Sequence, residues 1–418
     1  MNRYNLGKNL LFAGCFLLPT SGYIGPFLIL LACICGSSLQ GFKALLVRKM
    51  YPLYFLTILM LVSVFTSPFG LESCSGIFNW LPFFWLFWSL SIYLQDKSNI
   101  KRVAMNLVYG TIPVLIIGFS KIIFGFDETL RIFGSFIVWH VVNNRVEGIG
   151  EFTGIFYNRN ICAAWLAAAF PLFVAAAIRF RIFSREDMCK KIVALFALLS
   201  ISLAMIMSGS RNAMGALVFG SLGMFANFHS LNQALGKLRS SSIFIKLLVT
   251  SVIVSVNTFF DLMRPLLDII FRFLADGYRL EIWRFGIHVG SENFLVGSGS
   301  GGFANYVSLL TPFDRFYHHV HSLPLDLWIS YGFLASIVFL IYVFAWLFIA
   351  IRAGVFDDGP FGKAWLVSFV LLIIVHVTDL PYLDARINLV GWILFSGIVS
   401  CVESSALVST ESSRPALD

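Results

Sequence analysis

The chain has 418 residues, 58% of them hydrophobic and 12% charged, with a net charge of +8 and a mean hydropathy of +0.84. Soluble domains run about 45–50% apolar and about 25% charged. A soluble enzyme, a disordered chain and a disulfide-stapled secreted domain are therefore excluded. The apolar stretches are long and continuous rather than short and alternating, which excludes a membrane β-barrel. An all-α integral membrane protein remains.

A membrane helix needs about 20 apolar residues, and the chain has room for about twelve. In chain order they fall at 10–18, 23–35, 51–66, 77–94, 103–124, 161–178, 192–207, 213–228, 243–260, 323–351, 364–377 and 389–402. The first stretch follows Arg3 and Lys8 as a signal peptide would, but no small-x-small cleavage site follows, so it reads as a retained span. Lys and Arg mark the cytoplasmic loops: Lys43, Arg48 and Lys49; Lys97, Lys101 and Arg102; Arg179 to Lys191; Lys237, Arg239 and Lys246; Arg352 and Lys363. Both termini are then expected in the cytoplasm. Residues 1–403 form one polytopic domain, and the Ser-rich segment 404–418 reads as a disordered tail. The cysteines lie mostly inside or beside apolar stretches, with no CxxC and no Cys/His metal spacing, so neither a disulfide framework nor a zinc site is expected.

Two outer segments are long, 125–160 and 261–321. The larger joins the ninth and tenth spans. In it, Asp261, Arg264, Asp268, Arg272, Asp276 and Arg279 recur at steps of three or four with alternating sign, which predicts an ion-paired amphipathic helix at the membrane interface. Gly277 breaks that pattern. A second helix follows over 278–290, carrying Arg279, Trp283, Arg284 and His288. Gly297-Ser298-Gly299-Ser300-Gly301-Gly302 lacks the Gly-Lys-Ser/Thr ending of a phosphate loop, and a flexible turn is the better reading. Next come His318, His319 and His321 at the start of a span. Histidine suits proton transfer near neutral pH. His-x-His with no carboxylate nearby is thin evidence for a metal. Arg211, in Ser208-Gly209-Ser210-Arg211 between two spans, runs against the charge bias. Either it snorkels to the interface or its fork faces an anion.

Four segments stand out together: Gly154-Ile155-Phe156-Tyr157-Asn158-Arg159-Asn160 before a span; Ser208 to Arg211; Arg279 through Trp283, followed by Gly297-Ser298-Gly299; and His321-Ser322 with Leu325 and Gly332. In order and topology they resemble the O-antigen ligase and polymerase family of bacterial envelope proteins. Asp379 and Asp384, before the last span, stand where members of that family often carry an acidic residue. Ser322 replaces a commoner Asn, and Ser330 stands where Glu is frequent, which blurs the subfamily.

The resemblance implies a GT-C-like fold of about twelve spans with a large helical periplasmic loop. It implies inverting, metal-independent glycosyl transfer on the outer face of the bacterial inner membrane, without cofactor or nucleotide. The donor would be a glycan on undecaprenyl diphosphate. The acceptor would be a sugar hydroxyl, on lipid A–core in a ligase or on a growing chain in a polymerase. In that chemistry Arg211 and Arg279 are candidates for a diphosphate clamp, with Arg284 a weaker third. His321 is the candidate base, or else binds diphosphate as imidazolium. His318, His319 and Trp283 are candidates for substrate contact. Arg159 and Asn160 either touch the glycan or serve as helix cap and anchor. Two other readings stay open: a polyprenyl-linked glycan transporter or flippase, and a non-catalytic assembly subunit.

Overall fold

The computed structural model describes residues 2–41, 46–125, 128–132, 137–141, 151–180, 188–226, 277–310, 319–357 and 359–412. Helix boundaries follow local chemistry. Asn2 caps α1 (Arg3–Leu17), its side chain accepting from the Tyr4 amide. A turn leads to α2 (Ile24–Gln40). Prolines occupy the first turns of α3 (Tyr51–Thr66) and α4 (Leu81–Leu94), where a missing N–H costs nothing. Asp96 caps α5 (Lys97–Phe124), and Gly125 ends it in the left-handed region. Asn158 caps α6 (Arg159–Arg179). Then come α7 (Met188–Met207), α8 (Arg211–Phe225), α9 (Gly277–Glu292), α10 (Gly302–Leu310), α11 (Leu323–Tyr331), α12 (Phe333–Arg352), α13 (Pro360–Thr378) and α14 (Ala385–Ser412).

Helix α6 is the axis of the molecule. Every residue from Ile161 to Ala177 is buried. Its run of alanines lets α5, α7, α8 and α13 approach closely, as small residues do between membrane helices. Other helices expose apolar rows instead: Ile192, Phe196, Leu199 and Leu203 on α7, and Leu334, Ile341 and Phe348 on α12. Such rows are stable against lipid, not water. Among the described residues, eight helices are long and apolar enough to cross a bilayer. The chain is an integral membrane protein.

The expected span list changes in detail. Three of the twelve expected spans correspond to the shorter helices α1, α2 and α8. The expected span at 243–260, the charged stripe from Asp261 to Asp276, and His318 lie outside the described residues. The stretch 323–351 is two helices, because Gly332 at φ +89° breaks it after α11. The long segment after α5 contains a hairpin of β1 (Glu128–Ile132) and β2 (Ile137–Val141), paired Glu128 to Val141. Trp139 pins it to the α1–α2 turn by donating to the Thr20 carbonyl at 2.8 Å. The last helix runs on to Ser412, into the segment read as a disordered tail. Glu403 on that helix pairs with Lys49 at 2.5 Å.

Candidate active site

The C-terminal end of α13 and the N-terminal end of α11 meet at one end of the bundle. His321 stands just before α11, and Asp379 just after α13. The His321 Nδ1 lies 2.9 Å from Asp379 Oδ1. Among the described residues His321 is the one non-glycine with positive φ, at +52°. That conformation costs free energy and persists only where the surroundings enforce it.

Asp379 is held from several sides. Its Oδ1 also accepts from the Leu380 amide at 2.9 Å. Its Oδ2 faces Arg279 Nη2 on α9 at 3.9 Å. Burial pushes the carboxyl up, but the hydrogen bond and charge of His321, the Leu380 amide and Arg279 outweigh it and hold it below the usual carboxylate range. An ionised carboxylate only accepts, so His321 Nδ1–H donates to it. Nε2 is then the ring nitrogen that faces away from the carboxylate. The side chains are 25% exposed for His321 and 8% for Asp379, so the imidazole is the more accessible of the two.

The other predicted residues gather unevenly. His319 packs edge to face on His321, with ring centroids 4.1 Å apart. Trp283 follows Arg279 by one helical turn and is buried. Arg284 is exposed and sits about 140° further round α9, so it does not share the Arg279 face. Arg211 opens α8, and its neighbour Asn212 accepts from the Thr378 hydroxyl at 2.7 Å, beside Asp379. Ser210 reaches Asn160 at 3.4 Å. Arg159 pairs with Glu151, and Asn158 caps α6 through the Asn160 amide. The motifs far apart in sequence thus share one end of the molecule.

That end also contains residues that sequence reading left unassigned. Asp379 carried a signal, its place before the last span where the resembled family often has an acid, but its pairing with His321 did not. Arg386 grips Asp384 with two hydrogen bonds of 2.9 and 2.6 Å and lies over the Phe156 ring at 4.1 Å. Tyr157 sits half-exposed in the field of these groups. Its hydroxyl is pushed up by burial first, then by Asp384 and Asp379, against Arg386. Tyr382 donates to Asp326 on α11 at 2.7 Å. Burial pushes Asp326 up to about 6, opposed by that hydrogen bond.

The glycine-rich segment is a joint rather than a flexible turn. The Ser298 and Gly299 amides donate to the Ile329 and Ser330 carbonyls at 2.7 and 2.9 Å. The Ser298 carbonyl accepts from Ser67 at 2.7 Å. A Cβ at Gly297 would meet the Gly332 amide at 2.6 Å. The close approach is to the protein's own backbone.

His319, His321 and Asp379 place three donor atoms within 4.8 Å of one another. The carboxylate missing beside the histidines in sequence is thus supplied from 58 residues downstream. The set has ligand types suited to a divalent ion, but Arg279 stands on the carboxylate where a second cation would compete.

Residues 195–340 match the family profile described as O-antigen ligase. That match supports the O-antigen ligase and polymerase family for this chain. The matched segment carries Arg211, Arg279 and His321, whereas Asp379 and the Asn158–Asn160 cap lie outside it. No curated protein matches the chain. The matched segment supports a ligase- or polymerase-type function and, in general terms, an enzyme's role.

Proposed function

We propose that the protein is an O-antigen ligase that transfers a glycan from undecaprenyl diphosphate to a sugar hydroxyl of lipid A–core. Transfer is inverting and metal-independent, and takes place at the periplasmic face of the inner membrane. The observation that carries this reading is the His321–Asp379 pair on strained backbone, with Arg279 beside it.

The chemistry runs as a single displacement. The acceptor hydroxyl attacks the anomeric carbon, its proton passes to His321 Nε2, and the bond from that carbon to the diphosphate oxygen breaks. Asp379 fixes the imidazole tautomer and stabilises the imidazolium that forms. The leaving diphosphate gains charge. Arg279 and Arg211 meet it with guanidinium forks that stay protonated. His319 packs on the His321 ring beside them, and Trp283 is buried one turn after Arg279 on α9. Tyr157 offers an exposed ring for a sugar face near Asp384. Beneath the pair lies an apolar cavity of about 220 Å³, lined by Leu323, Pro324, Phe344, Val377, Tyr382 and Trp392. It begins two residues from His321 and two from Asp379, and suits the first isoprenoid units of a lipid donor.

The test is the lipopolysaccharide profile of a deletion strain complemented with wild type or His321→Ala. A ligase leaves complete lipid-linked chains that never reach lipid A–core when it is lost. Core bearing a single repeat unit would assign a polymerase instead. A normal profile with His321→Ala would remove the histidine from the mechanism. A transporter is disfavoured because the polar cluster sits at one end of the bundle, not at mid-span, where transport sites lie.

A further inference from the structure

The opposite end of the bundle holds a second, chemically different cavity. It measures about 540 Å³ and opens among the start of α5, the end of α6 and the segment leading into α13. Its position follows from helix direction. α13 runs from Pro360 to Thr378 and reaches Asp379 only at its far end, so this cavity and the His321 pair lie a full span apart.

Its lining separates by chemistry. Lys97 and Lys101, one turn apart on α5, and Arg179, the last residue of α6, give three cations, with no acid among the described lining residues. Asp96, just before α5, is engaged as the cap of that helix. It accepts from the Ser98 amide and hydroxyl at 2.8 and 2.6 Å. α13 adds the positive end of its dipole. Gly359 supplies no side-chain cap, and the first intrahelical bond runs from Lys363 back to Gly359, so the Phe361 and Gly362 amides precede it. Below this polar rim the wall is apolar: Ile100, Ile178, Val355, Phe356 and Phe361.

A cationic rim over an apolar floor, at the end of three membrane helices, matches an amphiphile with an anionic head. A free anion would use the rim and leave the floor unpaired. We propose that this cavity binds the phosphate headgroup of an anionic phospholipid, from the leaflet opposite the His321 site. The phosphodiester lies between Lys101 and Arg179 and against the first turn of α13. The glycerol and first acyl carbons lie on Phe356 and Phe361. Basic pockets between helices recognise lipid phosphates on these terms, with each cation contributing about fivefold in affinity.

The test uses the purified full-length protein in nanodiscs of phosphatidylcholine with a minor fraction of phosphatidylglycerol. Retained lipid is read by native mass spectrometry. Wild type should retain phosphatidylglycerol preferentially and melt higher than in phosphatidylcholine alone. Lys101→Gln with Arg179→Gln alters two exposed side chains and leaves packing intact. It should lower the preference roughly tenfold to thirtyfold. Arg3→Gln with Arg48→Gln removes the same charge outside the cavity and should leave the preference in place. An equal loss in both double variants would reduce the effect to general charge attraction and overturn the site. Displacement of the retained lipid by millimolar inorganic phosphate would also overturn it, in favour of a simple anion site.

Discussion

His321 sits at φ +52°, a conformation that side chains with a Cβ rarely adopt, and its ring is hydrogen-bonded to Asp379 at 2.9 Å. The strain is maintained by that bond and by the packing of Val320, which is wholly buried. Asp379→Asn keeps the volume but loses the ionised acceptor, so the imidazole loses its fixed tautomer. Turnover should fall by about 10²–10⁴-fold with a small change in KM. Steady-state kinetics on the purified variant would check this, and unchanged turnover would take Asp379 out of the mechanism. The sign of its pH dependence follows from its depressed pKa. The stability that Asp379 contributes is fully present above the ordinary carboxylate value of about 3.9 and is lost as pH falls through its lower folded value. The difference in melting temperature between wild type and Asp379→Asn should accordingly shrink only in strong acid. Arg211→Lys keeps a charge and loses the fork. It should remain clearly less active than wild type in the same assay. Full activity would assign Arg211 to the interface as an anchor.

Two elements carry the reacting pair, and a second contact ties them. Five residues after His321, Asp326 on α11 accepts from Tyr382, three residues after Asp379, at 2.7 Å. Tyr382 also packs on Trp80, with centroids 5.3 Å apart. Tyr382→Phe leaves the carboxylate without this donor. It should cost about 1–3 kcal/mol of stability and slow turnover, read by thermal melting and kinetics together. The joint at the other end of α11 is backbone-tight. A Cβ on Gly332 would stand 2.0 Å from the Leu295 carbonyl oxygen, at φ +89°. Gly332→Ala should therefore destabilise by roughly 2–5 kcal/mol, seen as lost protein in membranes. This scale also shows what a sequence can and cannot say. The helices were legible because apolar length is a local signal, whereas the caps at Asn2, Asp96 and Asn158 were not read from the sequence. The four motifs were legible as separate segments. The contact of His321 with Asp379 was not, since nothing local specifies a partner 58 residues away. The break at Gly332 was missed because apolar composition continues across it. The β1–β2 hairpin was missed because five-residue strands are too short to show against a hydrophobic background.

In the whole molecule, a buried α6 holds two chemically distinct ends apart. One end collects His321, Asp379, Arg279 and the start of α8, and the other collects the cations of α5 and α6. Amphipathic order of this kind fits a lipid-linked donor whose head reacts at the surface while its tail stays among helices. Because the described donor set of His319, His321 and Asp379 is shared with Arg279, transfer should persist in excess chelator. Loss in EDTA with restoration by a divalent metal would recast these three side chains as metal ligands. The most direct measurement reconstitutes the reaction. Purified protein is supplied with an undecaprenyl-diphosphate-linked glycan and lipid A–core, and both the glycosylated acceptor and released undecaprenyl diphosphate are quantified. Wild type should form the two products in equal amounts, and His321→Ala, equally abundant and folded, should form neither above background. Product formation by His321→Ala at the wild-type rate would contradict the account.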